Sequence, residues 1–334
     1  MSKIIENPKS YTGRELETIF FRPMLTGPDA IDLGVRIMYN MPVPTTLNFW
    51  HRPGDVLQKY AKGWKGGDTA QKFQKTINLF KIKAEMGYSA EEYFGMIYEL
   101  ITNDPKVNLD DLSGSELEKA ETALFRQAIA ESIRVTMWLG DTTRADAKSY
   151  NSFDGFLKVI KNDLQNTSNT GKNFIPNVKI PAMSGADAAI SLFERLWNAA
   201  DERLRAMKDE GNLVLLVTSD IYQNYEKSLE GNFLESAFAA MQNGRSGVAW
   251  RGIPVKDVKV GSYLPAFSDM PQSFAILTDK RNMALAVNSS DFPGNEVRMW
   301  YDPKEMENCQ RAIFMAGADY LLPELLTVAV EADA

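Results

Sequence analysis

The sequence predicts an α+β fold, and three observations carry that prediction. Residues 115–139 run without glycine or proline and repeat their apolar positions at helical spacing. Residues 213–217, Leu-Val-Leu-Leu-Val, form a continuous apolar run of strand length, fit for the middle of a sheet. Short strand-like runs then succeed one another from 248 to 301, and no internal repeat is present.

From the N-terminus, residues 1–44 are broken by Pro8, Pro23, Pro28, Pro42 and Pro44, with Gly13, Gly27 and Gly34 between them, so they cannot form one long element. A short helix is expected over 29–38, with Ile31, Val35 and Met38 on one face. Ile19, Phe20, Phe21, Met24 and Leu25 make the segment too apolar for a solvated tail. It is expected to pack on another surface, that of a neighbouring subunit being one.

Residues 56–64 and 72–83 flank Lys65-Gly66-Gly67-Asp68-Thr69, a cluster suited to reversing a chain between strands. Phe73, Lys75, Ile77, Leu79 and Lys81 alternate with Lys72, Gln74, Thr76, Asn78 and Phe80 in a partly apolar period of two. The pattern predicts a long two-stranded hairpin. Such a hairpin is marginally stable alone in water and needs support from a neighbour.

Ser89 and Glu92 form a capping box, opening a helix through Tyr93, Ile97 and Leu100 that ends before Asn103-Asp104-Pro105. Ser113 and Glu116 form a second box ahead of 115–139. There Leu117, Ala120, Leu124 and Ala128, and Phe125, Ile129, Ile133 and Met137, make two apolar stripes. At 1.5 Å per residue this is a rod of about 37 Å, stopped by Gly140. An irregular stretch, Tyr150 to Leu157, and a polar loop, Gln165 to Gly171, follow. A third box, Ser184 with Asp187, opens a helix through Leu192, Leu196, Ala200, Leu204 and Met207 to Gly211. After the strand at 213–217 come a helix over 219–229 and strands at 248–253, 255–260, 274–278, 284–287 and 296–301. Residues 311–330 are apolar and must be buried.

Composition excludes much chemistry. The chain has 334 residues, 44% of them hydrophobic, one histidine and one cysteine. His51 alone cannot supply a His-based triad or a typical zinc site. In Phe49-Trp50-His51-Arg52-Pro53-Gly54 it reads as an ordinary packed or solvated side chain. Cys309 has acidic neighbours, Glu305 and Glu307, which do not favour a thiolate. Asp110-Asp111 and Glu91-Glu92 stand at predicted helix starts, where they act as caps. Asn243-Gly244-Arg245-Ser246-Gly247 matches neither a Walker loop nor a dinucleotide fingerprint, and reads as a turn or loop. No catalytic, cofactor-binding or metal residue is expected. There is no run of eighteen apolar residues and no apolar stretch of signal-peptide type near Met1, so the expected place of synthesis and residence is the cytoplasm.

Charge is unevenly placed. Between Asn48 and Lys83, Arg52, Lys59, Lys62, Lys65, Lys72, Lys75, Lys81 and Lys83 face only Asp55 and Asp68. That segment carries +6 in a chain whose total is −7, leaving −13 for the remainder. Such a split suits a basic arm lying on an acidic surface of an identical neighbour. Phe49, Trp50, Tyr60, Trp64 and Phe73 among the lysines make a weak version of a single-strand nucleic-acid platform, a second reading that the overall acidity opposes.

The order of parts, an apolar arm, a basic two-stranded loop, a long helix, an α+β block and an apolar C-terminal return, resembles the major capsid proteins of tailed phages. Their fold is named after phage Hong Kong ninety-seven and shared with encapsulins. Ile82-Lys83-Ala84-Glu85-Met86-Gly87-Tyr88-Ser89 resembles the exit from the extended loop of that family, the E-loop. Tyr150-Asn151-Ser152-Phe153-Asp154-Gly155-Phe156 resembles the start of its axial domain after the spine helix. Trp250-Arg251-Gly252-Ile253-Pro254-Val255 and Ala275 to Asn282 resemble late strand and turn phrases, and Ala316 to Ala329 the closing strands.

The resemblance implies an N-terminal arm at 1–44, an E-loop at 45–83, a peripheral domain at 84–149 with 293–334, and an axial domain at 150–292. It implies a non-enzymatic protein, without cofactor, that assembles with itself into hexamers and pentamers of a phage head shell. Lys59, Lys62, Trp64, Lys65, Lys72 and Lys75 of the E-loop, and Phe20, Phe21, Met24 and Leu25 of the arm, would contact neighbouring subunits. Ordinary charged contacts are expected of Lys62 and Lys65 rather than a covalent crosslink. Implied partners are a separate scaffolding protein, a portal, decoration proteins and enclosed double-stranded DNA, with no membrane. The implied location is the virion, after assembly in the host cytoplasm. An encapsulin-type compartment or a gene-transfer particle shares these implications of fold.

Overall fold

The computed structural model describes residues 9–11, 33–39, 41, 45–51, 62, 71–89, 116–145, 150–166, 169–185, 187–231, 248–288, 296–302, 304 and 307–332. In chain order the first strands are β1 (Lys9–Tyr11), β2 (Arg36–Tyr39), β3 (Thr45–His51), β4 (Gln71–Ile77) and β5 (Phe80–Ser89). Helices α1 (Glu116–Leu139) and α2 (Phe156–Gln165) lead to β6 (Asn177–Ile180), and α3 (Ala188–Ala199) and α4 (Glu202–Ala206) to β7 (Leu213–Val217). Helix α5 (Ser219–Gly231) precedes β8 (Ala249–Trp250), β9 (Ile253–Asp257), β10 (Ala275–Asp279) and β11 (Met283–Asn288). Strands β12 (Glu296–Asp302), β13 (Glu307–Tyr320) and β14 (Leu326–Ala332) close the chain.

Helix α1 forms where the sequence predicts it, and its burial is graded along its length. In its middle turns Phe125, Ile129 and Ile133, spaced by four, are buried, while Leu124 of the other predicted stripe is 42% exposed. From Val135 to Gly140 every residue is buried, so the end of the helix is enclosed on all sides. There Trp138 meets Phe156 edge-on at 5.1 Å and stacks on Phe274 at 5.8 Å. Truncating an aromatic side chain in such a core costs about 3–5 kcal/mol.

The irregular stretch after α1 is a close crossing of two backbones. A Cβ on Gly140 would lie 2.2 Å from the Phe153 carbonyl oxygen, and one on Gly155 would lie 2.6 Å from that of Thr136. Neither position has room for a side chain. The Gly155 N–H donates to the Gly140 carbonyl at 2.9 Å. Asp154 accepts from the backbone N–H and the hydroxyl of Thr142, both at 2.9 Å. Asp141 accepts from the N–H and hydroxyl of Thr143 and pairs with Lys158 at 2.8 Å. Burial would push the Asp141 carboxyl up, but the hydrogen bonds from Lys158 and Thr143 outweigh it and hold the group below its usual range.

Two six-stranded sheets make the body. The first is built around β13. Strand β5 pairs along one edge of it, and β11 and β12 pair one after the other along the opposite edge. Strand β1 adds to β12, and β2 pairs with β11 in parallel. The second sheet has the order β6-β14-β10-β7-β9-β8. Its central strands β7 and β10 are buried on both faces, which is why β7 reads as an unbroken apolar run and β10 opens with Ala275-Ile276-Leu277 ahead of the buried Thr278 and Asp279. Val214, Leu216, Ile276 and Val328 face a core shared with α1, α2 and the first sheet. The alternate residues Leu213, Leu215, Val217, Ala275 and Leu277 face Ala189, Leu192, Phe193 and Leu196 of α3.

The chain passes between the sheets by way of α1 and α2 from β5 to β6, and by short connections at β10–β11 and β13–β14, and Asn282 ties the two short passages together. Its side-chain amide donates to the carbonyls of Leu322 and Leu325 at 3.0 and 3.2 Å and to the Thr278 hydroxyl at 3.2 Å. Its side-chain oxygen accepts from the N–H groups of Leu321 and Leu322. The sheets thus cross the division implied by the resemblance: β11 lies in the first sheet and β14 in the second.

Three local expectations are corrected. Arg36–Tyr39 is a strand rather than the end of a helix over 29–38, because pairing with β11 outweighs the local pattern, and Gly34 just before it takes φ +78. Residues 29–32 lie outside the described residues. The capping box of Ser184 and Asp187 does not form: Asp187 has φ 60 and makes no side-chain cap, and the Ala189 N–H is met instead by Asn224 of α5 at 3.0 Å. The helix expected from 184 to 211 is also interrupted at Ala200. Asp201 there caps a new helix by accepting from the Arg203 N–H at 2.8 Å. The helix expected over 89–100 lies outside the described residues beyond Ser89.

Candidate assembly surface

Strands β3 and β4 pair antiparallel from Thr45↔Ile77 to His51↔Gln71, forming a sheet of their own. A two-stranded hairpin is present, but the expected pairing of 56–64 with 72–83 across Lys65–Thr69 is corrected: residues 71–77 pair with 45–51 instead, and 56–61, 63 and 64 lie outside the described residues. The second limb divides at Asn78 and Leu79, beyond which β5 joins the first sheet.

The root of the hairpin is fixed by packing. Ile77 and Leu79 are buried with Ala284, Ala286, Met315 and Leu321, and Leu47, Met38 and Met41 pack on them. The Asn288 side chain donates to the Met41 carbonyl at 2.7 Å.

Lys75, two residues outward from Ile77 and on the same face of β4, meets a charged cluster. Its Nζ lies 3.2 Å from Asp319 Oδ1 on β13 and 3.6 Å from Asp163 Oδ2 on α2. It also sits 4.1 Å above the Tyr320 ring, and the Tyr320 hydroxyl donates to Asp163. The Asp319 side chain is 11% exposed and that of Asp163 36%. Burial drives the Asp319 carboxyl up to about 6, although Lys75 pulls it down. Burial and the bond to Asp163 raise the Tyr320 hydroxyl above its ordinary value.

The arrangement is an electrostatic clasp between the hairpin and two elements of the body. Among the described residues, no group of three or more His, Cys, Asp or Glu is placed to hold a metal ion. Nor is any helix there long and apolar enough to cross a membrane.

Of the residues expected at subunit contacts, Lys62 is exposed at a bend, Lys72 pairs with Trp50 through the backbone, and Lys75 is engaged within its own chain. Lys59, Trp64, Lys65, Phe20, Phe21, Met24 and Leu25 lie outside the described residues. The sequence reading did not find Asp163, Asp319 and Tyr320. They stand far apart along the chain from Lys75 and from the basic segment, and no local motif marks them.

No family model and no curated protein matches the chain. Solved structures do. A chain of the satellite phage P4 procapsid including size determination (Sid) protein matches with a TM-score of 0.62 at 10% identity, over 97% of this chain and 93% of that one. A chain of the capsid of an empty GTA particle matches with a TM-score of 0.53 at 14% identity, over 91% and 90%. A chain of Gordonia phage Cozz gives 0.52 at 13%, over 92% and 87%. The likeness spans nearly the whole of each chain. The polypeptide therefore has the α+β capsid fold of the Hong Kong ninety-seven type.

Proposed function

We propose that this chain is the major capsid protein of a tailed phage, a structural protein whose copies assemble into the head shell around the genome. The observation that carries the reading is that the fold likeness to procapsid and capsid chains runs over nearly the whole of each chain. In this reading the hairpin of 45–83 lies across the body of the next subunit, the arm of 1–44 packs on a neighbour, and residues 150–292 meet at the centre of hexamers and pentamers. The opposite charges of the basic segment and the remainder favour such head-to-tail contacts. Scaffold, portal, decoration proteins and packaged double-stranded DNA are the proposed partners, and the virion is the proposed location. The match to a GTA particle supports a second reading, in which the same shell belongs to a particle of that kind.

Electron microscopy of the protein expressed alone and with its candidate scaffold tests the proposal. Closed shells or capsomers are the expected result. Small monodisperse species under every condition overturn it.

A further inference from the structure

The hairpin meets the body in two tiers. The lower tier is apolar: Ile77 and Leu79 are buried beside β11 and β13, and half-buried Leu47 packs on them. Apolar contact is non-directional, so it fixes where the hairpin begins better than it fixes where it points. The upper tier is the contact of Lys75 with two carboxylates on two other elements, α2 and β13. Attraction to carboxylates on two different elements adds two fixed points to the apolar contact, and so restrains where the strand points.

Below Lys75 the strand ladder is interrupted at Asn78 and Leu79, between β4 and β5. Above it, Gln71 to Gln74 and their partners continue outward. At about 3.3 Å per residue that is a lever of roughly 13 Å. Asp163 is held by the Tyr320 hydroxyl as well as by Lys75, so one jaw of the clasp is set by the body itself.

The geometry points to a latch: Lys75, gripped by Asp163 and Asp319, holds the hairpin at one angle to the subunit body, and loss of that grip frees the hairpin to swing about Asn78 and Leu79 while the body stays folded. The latch belongs to the single subunit. Its test needs no shell, so its failure is distinct from failure of the capsid reading.

Paired nitroxide labels measured by pulsed electron resonance read the angle. One label replaces Gln71 at the outer end of β4, the other replaces exposed Asp209, and Cys309→Ser removes the native thiol. A second pair at Asp209 and Glu331 reports on the body alone. In the triple variant Lys75→Met, Asp163→Asn, Asp319→Asn, which leaves no unpaired charge, the hairpin–body distance distribution is expected to broaden roughly twofold or more. The body pair is expected to keep its wild-type width, and Lys75→Arg, which retains the charge, to keep the narrow hairpin distribution. An unchanged hairpin width in the triple variant overturns the latch. Equal broadening of both pairs also overturns it, because the cluster is then a general support. Lys75→Met alone leaves two carboxylates facing each other and can loosen the body, which is why the neutral triple variant decides.

Discussion

A Cβ on Gly317 would lie 2.1 Å from the carbonyl oxygen of Asn78. The root of the hairpin therefore touches the central strand of the first sheet backbone to backbone, at the break between β4 and β5. Gly317→Ala forces one of the two to move. The expected cost is about 1–3 kcal/mol, measured by urea unfolding of the subunit.

Asn282 is buried in one short passage between the sheets, and both ends of its amide bond to the other, at 321–325. Asn282→Ala leaves several backbone groups without their partner. A loss of roughly 2–4 kcal/mol is expected, visible as a lower urea midpoint with the slope unchanged.

Two carboxylates give opposite pH dependences. Asp319 is raised from 3.8 to about 6, so the folded state binds a proton more readily than the unfolded chain. Its contribution to stability is fully present below its unfolded value and lost as pH rises through about 6, a change of order 3 kcal/mol. Asp319→Asn, measured against wild type, is expected to gain in relative stability by that order between pH 4 and pH 7. Asp141 is lowered, so its contribution is present above 3.8 and lost as pH falls through its folded value. Asp141→Asn is expected to be the less stable protein at neutral pH, with the gap closing in acid. Urea titrations at several pH values check both.

Reversing Lys59, Lys62 and Lys65 to glutamate turns much of the basic segment acidic without touching the Lys75 clasp. Assembly is expected to fail while circular dichroism and gel filtration still show a folded subunit. Normal shells in electron micrographs of this variant would mark the charge split as incidental.

Much of the fold was legible because its signals are local. The run at 213–217 is buried on both faces, and Gly140 ends α1 where nothing larger than hydrogen fits. What was not legible depends on partners distant in sequence. Arg36–Tyr39 becomes a strand only because β11 is beside it, and α3 starts where Asn224 of another helix meets it. Lys75 was visible as one more lysine in a basic segment. Its role at the root was not, since Asp163 lies on a helix and Asp319 on a strand with ordinary local sequence.

The paired passages between the sheets have a mechanical consequence. Two short straps set side by side and stitched by one amide hold the sheets together at one end, and a common core fills the space between them. The subunit body therefore works as a plate.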